Sequence, residues 1–166
     1  MTASSFAPAP AIGLLDGPGG DADATLRLDS DLLGTVEVPA QAAFEFPDGV
    51  LGFPERRRFA LVPAGREGLF WLQSAEDAAL VFLLADPFRW LPTYEIDVPP
   101  AELAPLGVAS EGELAVLAIV TLPAAPGEPA SVNLRAPLLL ATTTQRARQL
   151  VLQSERYDIR EPLALG

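Results

Sequence analysis

Glu95 and Asp97 stand two residues apart in Tyr94-Glu95-Ile96-Asp97-Val98. On an extended chain that spacing puts both carboxylates on one face, as an acid–base dyad or a metal site would require. It suits the polar face of a half-buried strand equally well, and that is much the commoner case. Asp21, Asp23, Asp29 and Asp31 invite a calcium reading, but a calcium loop opening at Asp21 needs Gly at its sixth position and Glu at its twelfth. Leu26 and Leu32 stand there. Glu76-Asp77 precedes an apolar run and reads as a turn or helix cap. Gly17-Pro18-Gly19-Gly20 has neither the lysine nor the following helix of a phosphate loop.

The chain contains no Lys, no His and no Cys. A serine therefore has no base partner for a triad, and there is no thiol nucleophile, Schiff-base amine or Cys/His zinc set. No catalytic residue, cofactor or metal is expected, and the composition favours a binding protein over an enzyme. The 166 residues carry 22 acids against 11 arginines, a net of −11. Residues 1–31 hold five Asp and one Arg, a net of −4, which leaves 17 acids against 10 Arg, a net of −7, on the rest. Direct nucleic-acid binding is disfavoured by that balance. Arg56-Arg57-Arg58 is the one concentrated basic run, and pairing with nearby acids is expected of it.

The elements that must carry these residues are short. Residues 1–24, rich in Pro and Gly and poor in large apolar side chains, read as a flexible N-terminal extension. Leu26 and Leu28 alternate with Arg27 and Asp29 ahead of Thr35-Val36-Glu37-Val38, a hairpin pattern. Phe44-Glu45-Phe46 repeats the alternation and stops at the turn Pro47-Asp48-Gly49. Further strands are expected at 59–62, 69–73, 80–85, 94–98, 114–122, 131–134, 138–142 and 149–152, with short helices at 54–58 and 100–106. Leucine abundance leans toward helix, but 17 prolines oppose it. The fold class is all-β: one small barrel-like domain over residues 25–162. The longest apolar stretch, 114–122, falls far short of the ~20 residues of a membrane helix. The N-terminus lacks a signal peptide's charged and apolar regions, so a cytoplasmic location and no membrane partner are expected.

Five blocks, in order, resemble the flagellar assembly factor family, FliW. They are Phe46-Pro47-Asp48-Gly49-Val50-Leu51-Gly52-Phe53; Trp71-Leu72-Gln73-Ser74 followed by Asp86-Pro87-Phe88; Val116-Leu117-Ala118-Ile119-Val120-Thr121; Ser131-Val132-Asn133-Leu134-Arg135-Ala136-Pro137; and Gln153-Ser154 with Tyr157. The resemblance implies a closed or nearly closed antiparallel barrel without catalytic activity. It also implies two partners: flagellin, bound as a chaperone binds its client, and CsrA, a basic RNA-binding repressor of flagellin translation that the factor antagonises. Flagellin would occupy the factor until it is secreted, and the freed factor would then bind CsrA and relieve repression. The stretch before Thr25 has no counterpart in typical members, and Leu51 and Pro54 replace an expected Pro and acid.

An interface for a basic partner needs acids around an apolar centre. In Asp86-Pro87-Phe88-Arg89-Trp90-Leu91-Pro92-Thr93-Tyr94 two prolines interrupt an aromatic run, which points to rings on a loop or edge. The expected protein-binding face therefore uses Asp86, Phe88, Tyr94, Glu95 and Asp97. The turn carrying Asp48, Leu51 and Phe53 supports it. Gln73 and Asn133 are expected to satisfy backbone groups, and Gly49 and Gly52 to serve backbone geometry. The alternative is a small-ligand-binding barrel, which would keep a deep apolar cavity.

Overall fold

The computed structural model describes residues 25–164, so the N-terminal extension expected at 1–24 lies outside the described residues. The chain opens with the hairpin β1 (Thr25–Ser30) and β2 (Gly34–Pro39), paired antiparallel from Thr25↔Pro39 to Ser30↔Gly34. Gly34 closes its turn at φ +78, a conformation side chains resist. Seven strands then form a closed ring: β3 (Ala43–Glu45), β4 (Arg58–Pro63), β5 (Leu69–Ser74), β6 (Val81–Ala85), β7 (Leu114–Thr121), β9 (Leu138–Ala141) and β10 (Arg146–Gln149). Neighbours are antiparallel except at the seam, where β10 meets β3 in parallel at Arg146↔Glu45. Closure there leaves no open edge on either strand. β8 (Ala130–Val132) pairs with the far end of β7, and β11 (Glu161–Leu163) pairs with β8.

Three buried clusters explain the order of the layers. The barrel interior draws on all seven strands, with Phe44, Phe59, Leu61, Phe70, Leu72, Leu84, Leu117, Leu138, Leu140 and Ala147 packed together. A second cluster covers the outer face of β7, β9 and part of β6: Val116, Ala118, Val120, Leu139 and Ala141 pack under Tyr94, Ile96, Val98, Leu134, Leu150, Leu152 and Tyr157. The hairpin covers the outer face of β4, with Leu28 and Val38 against Ala60. β7 is thus buried on both faces. That is why Leu114-Ala115-Val116-Leu117-Ala118 reads as a continuous apolar run rather than an alternation.

Several expected elements change. Residues 54–58 form no helix: a turn at 54 and 55 leads through two irregular residues into β4 at Arg58. Phe46 N–H bonds to Arg57 O, and the Glu76 carboxylate accepts from the N–H groups of Arg57 (2.6 Å) and Arg58 (2.9 Å), so those groups serve other segments. Residues 100–106 divide into a one-turn helix, Pro100–Leu103, and a 3₁₀ turn, Ala104–Leu106. Another one-turn helix, Pro87–Trp90, appears where the sequence suggested a loop; we call these two α1 (Pro87–Trp90) and α2 (Pro100–Leu103). Residues 94–98 keep alternating burial but enter no sheet. The strand expected at 149–152 lies three residues earlier, as β10.

Candidate protein-binding site

The second layer carries most of the residues singled out above. Asp86 is the cap of α1: its Oδ1 accepts from Phe88 N–H at 3.1 Å. Burial raises its carboxyl above the ordinary value, and the Phe88 N–H and nearby Arg89 oppose that shift. Phe88 is half-buried, its ring 5.4 Å from that of Tyr94. Tyr94 itself is only 2% exposed. Its hydroxyl donates to Leu134 O at 2.6 Å, and its ring meets Tyr157 at 4.7 Å. Burial first, and the Tyr157 phenol second, push its pKa up, so Tyr94 is a fixed neutral donor. This corrects the expectation that Tyr94 presents a ring to a partner. In an alternating segment Tyr94 shares the inward face with Ile96 and Val98, opposite Glu95 and Asp97.

Glu95 and Asp97 are exposed and line an open groove of about 270 Å³. Its other wall is the segment 150–157. Tyr157 joins the walls by accepting Glu95 N–H on its hydroxyl at 2.9 Å. Arg156 lies 3.8 Å from Glu95 and 5.2 Å over the Tyr157 ring. These exposed charges are too far apart for a tight ion pair and stay solvated.

The turn ahead of β4 forms the other part of the expected face. Gly49 N–H bonds to Phe46 O and Phe53 N–H to Val50 O, at 2.9 and 2.7 Å. Gly49 sits at φ +69, and a Cβ there would lie 2.5 Å from Phe53 O, so only glycine fits. The turn holds Leu51 and Phe53 out at 62% and 41% exposure, with the Phe53 ring edge-on to Phe82. Leu51 N–H donates to Gln149 Oε1 at 2.9 Å. Arg148 Nε lies 3.0 Å from Glu102 on α2 and 3.9 Å from the exposed Asp48.

One stretch, 148–157, therefore links two regions that lie far apart in sequence. It holds the Asp48 and Leu51 turn at one end and the Glu95 and Asp97 segment at the other. Its own contributors, Arg148, Gln149, Val151 and Arg156, escaped the sequence reading. The closest signal was the block Gln153-Ser154 with Tyr157. Tyr94, with Phe88 against it, lies behind this face and packs on Tyr157, while Asp86 caps α1.

The remaining polar groups serve the fold. Gln73 Nε2 donates to the carbonyls of Ser74, Asp77 and Ala78, and Asn133 Oδ1 accepts from Arg135 and Ala136 N–H. Gln73 Oε1 is buried without a partner among the described residues. Asp29 accepts from Thr35 Oγ1, whereas Asp21 and Asp23 lie outside the described residues. Among the described residues no three Asp or Glu side chains gather as a metal site, and no helix is long and apolar enough to cross a membrane. The barrel interior, where a small-ligand protein would keep its cavity, is packed with side chains; Phe46 and Phe59 meet there edge-on at 5.3 Å.

Comparison with known proteins points one way. The FliW protein family matches residues 27–163. The flagellar assembly factor FliW of Treponema denticola is 34% identical over 138 residues, covering 83% of this chain and 93% of that one. Its counterpart in Symbiobacterium thermophilum is 40% identical over 125 residues, covering 74% and 90%. A crystal structure of the flagellar assembly factor FliW superposes with a TM-score of 0.74 at 27% identity, covering 84% of this chain and 97% of that one.

Proposed function

The chain belongs to the FliW family of flagellar assembly factors, and from that premise we propose that it works by binding rather than catalysis. It binds flagellin as a chaperone, and it binds and antagonises the translational repressor CsrA in the cytoplasm. The supporting observation is the stretch 148–157, which joins exposed Leu51 and Asp48 at one end to exposed Val151 and the carboxylates of Glu95 and Asp97 at the other. Apolar side chains supply binding energy and the acids orient a basic partner. The net charge of −7 beyond residue 31 draws such a partner in and speeds encounter, more strongly at low salt.

Titration of the purified chain against CsrA and against monomeric flagellin, at low and moderate salt, tests the reading. Complexes with both are expected, the CsrA complex weakening as salt rises; no complex with either rejects the proposal. Charge reversal at Glu95 and Asp97 together should weaken CsrA binding, and unchanged affinity would remove this face from it.

A further inference from the structure

The two walls of the groove share a feature that charge alone does not explain. Along an extended chain, successive residues direct their backbone N–H and C=O groups to opposite edges. Leu150 and Leu152 turn theirs inward, their N–H groups bonding to Pro137 O and Arg135 O at 2.9 and 2.8 Å. Val151, between them, must then direct its own outward, into the groove, where among the described residues that amide meets no acceptor. The opposite wall mirrors this. Glu95 N–H reaches into the groove to the Tyr157 hydroxyl, so Asp97, two residues on, faces the same way, and its amide has no partner among the described residues. The groove is a gap between two extended segments, bridged at Glu95 and Tyr157 and floored by Ile96, Leu150 and Leu152.

We propose that this gap receives an extended, cationic segment of a protein partner, which pairs its backbone with both walls and sets its basic side chains against Glu95 and Asp97. Strand addition of this kind draws affinity from main-chain bonds and specificity from alternate side chains. Charge selects the occupant. Asp97 has no ion pair among the described residues, and Glu95 has only the loose contact with Arg156. Residues 1–24 of the chain itself contain three Asp and no Lys or Arg, so they complement the rim poorly. A second copy would bring a second net negative domain. A basic partner fits.

The inference rests on the binding role proposed above, and one substitution separates the two. Val151→Pro deletes an outward N–H that makes no bond within the described residues, whereas Val151→Ala keeps it. With CsrA as probe, V151P should bind at least about tenfold more weakly than wild type and V151A within about twofold, circular dichroism confirming that both fold. Independently of any variant, the Val151 and Asp97 amides of the wild type should exchange more slowly in the complex than in the free protein. Wild-type affinity in V151P, or unchanged exchange at these amides, overturns the groove and leaves the binding role standing. Failure of the wild type to bind CsrA overturns that role and this partner with it. Protection already present in the free chain, and lost on deleting residues 2–24, would assign the gap to the chain's own N-terminal segment and overturn a partner's claim to it.

Discussion

Two corners of the molecule set acids beside arginines, and they end differently. At the end of the β4–β5 pair, Glu76 accepts the N–H groups of Arg57 and Arg58, Asp77 lies 3.5 Å from Arg56, and Asp77 Oδ1 also accepts Ala79 N–H. Each carboxylate there holds backbone in place, Glu76 across two segments and Asp77 within its own turn. In the groove, Glu95 and Asp97 accept no backbone hydrogen bond among the described residues, and it is their peptide groups that face the gap. The same residue types are thus structural where the backbone offers them donors and available where it does not. Exposure alone does not separate the two, since Glu76 is exposed, as Glu95 and Asp97 are. The hydrogen-bond partners do.

Substitutions sharpen that contrast. The largest effect belongs beneath the groove: Tyr94→Ala should cost about 3–5 kcal/mol in chemical denaturation, as removal of a buried aromatic does. Tyr94→Phe keeps the packing but strands Leu134 O, and should cost about 1–2 kcal/mol. Equal losses from the two would mean that the hydroxyl contributes nothing.

Glu76→Ala should lower the Tm by less than Tyr94→Phe does at neutral pH, and the loss should disappear in acid. The hydrogen bonds from Arg58 and Arg57 N–H hold the Glu76 carboxyl below its ordinary value of 4.5. A depressed carboxylate contributes fully above its unfolded pKa and loses that contribution as pH falls through the folded one. Melting curves of wild type and variant should therefore converge below pH 4.5; a constant gap would show that packing, not charge, is responsible. Asp97→Asn should shift stability least, within about 0.5 kcal/mol, while weakening the CsrA complex at low salt. A destabilised but fully binding Asp97→Asn would reverse the contrast between the corners.

Much of the fold was legible because strand signals are local. Alternation at Leu26 and Leu28, the stop at Pro47-Asp48-Gly49 and the apolar run at Leu114 each mark an element without reference to distant residues. The failures came from distant partners. The helix expected at 54–58 is prevented by a carboxylate 18 residues further on. The seam between Arg146 and Glu45 joins positions about a hundred residues apart. Of the residues expected on a binding face, Asp48, Leu51, Phe53, Glu95 and Asp97 are exposed, but Tyr94 was grouped with them against its own alternation. Arg148, Gln149, Val151 and Arg156 were not assigned to the face, because what they do depends on what lies beside them.

By itself the sequence determined an acidic all-β chain without Lys, His or Cys, and it marked the family blocks. Residue types and period-two patterns carry that information, and they act over a few residues. Only the tertiary structure decided which carboxylates are spent on turns and which remain available. It also decided that two separate extended segments stop short of pairing and leave a gap between them. Burial and backbone pairing are settled by neighbours distant in the chain, and no local pattern encodes them.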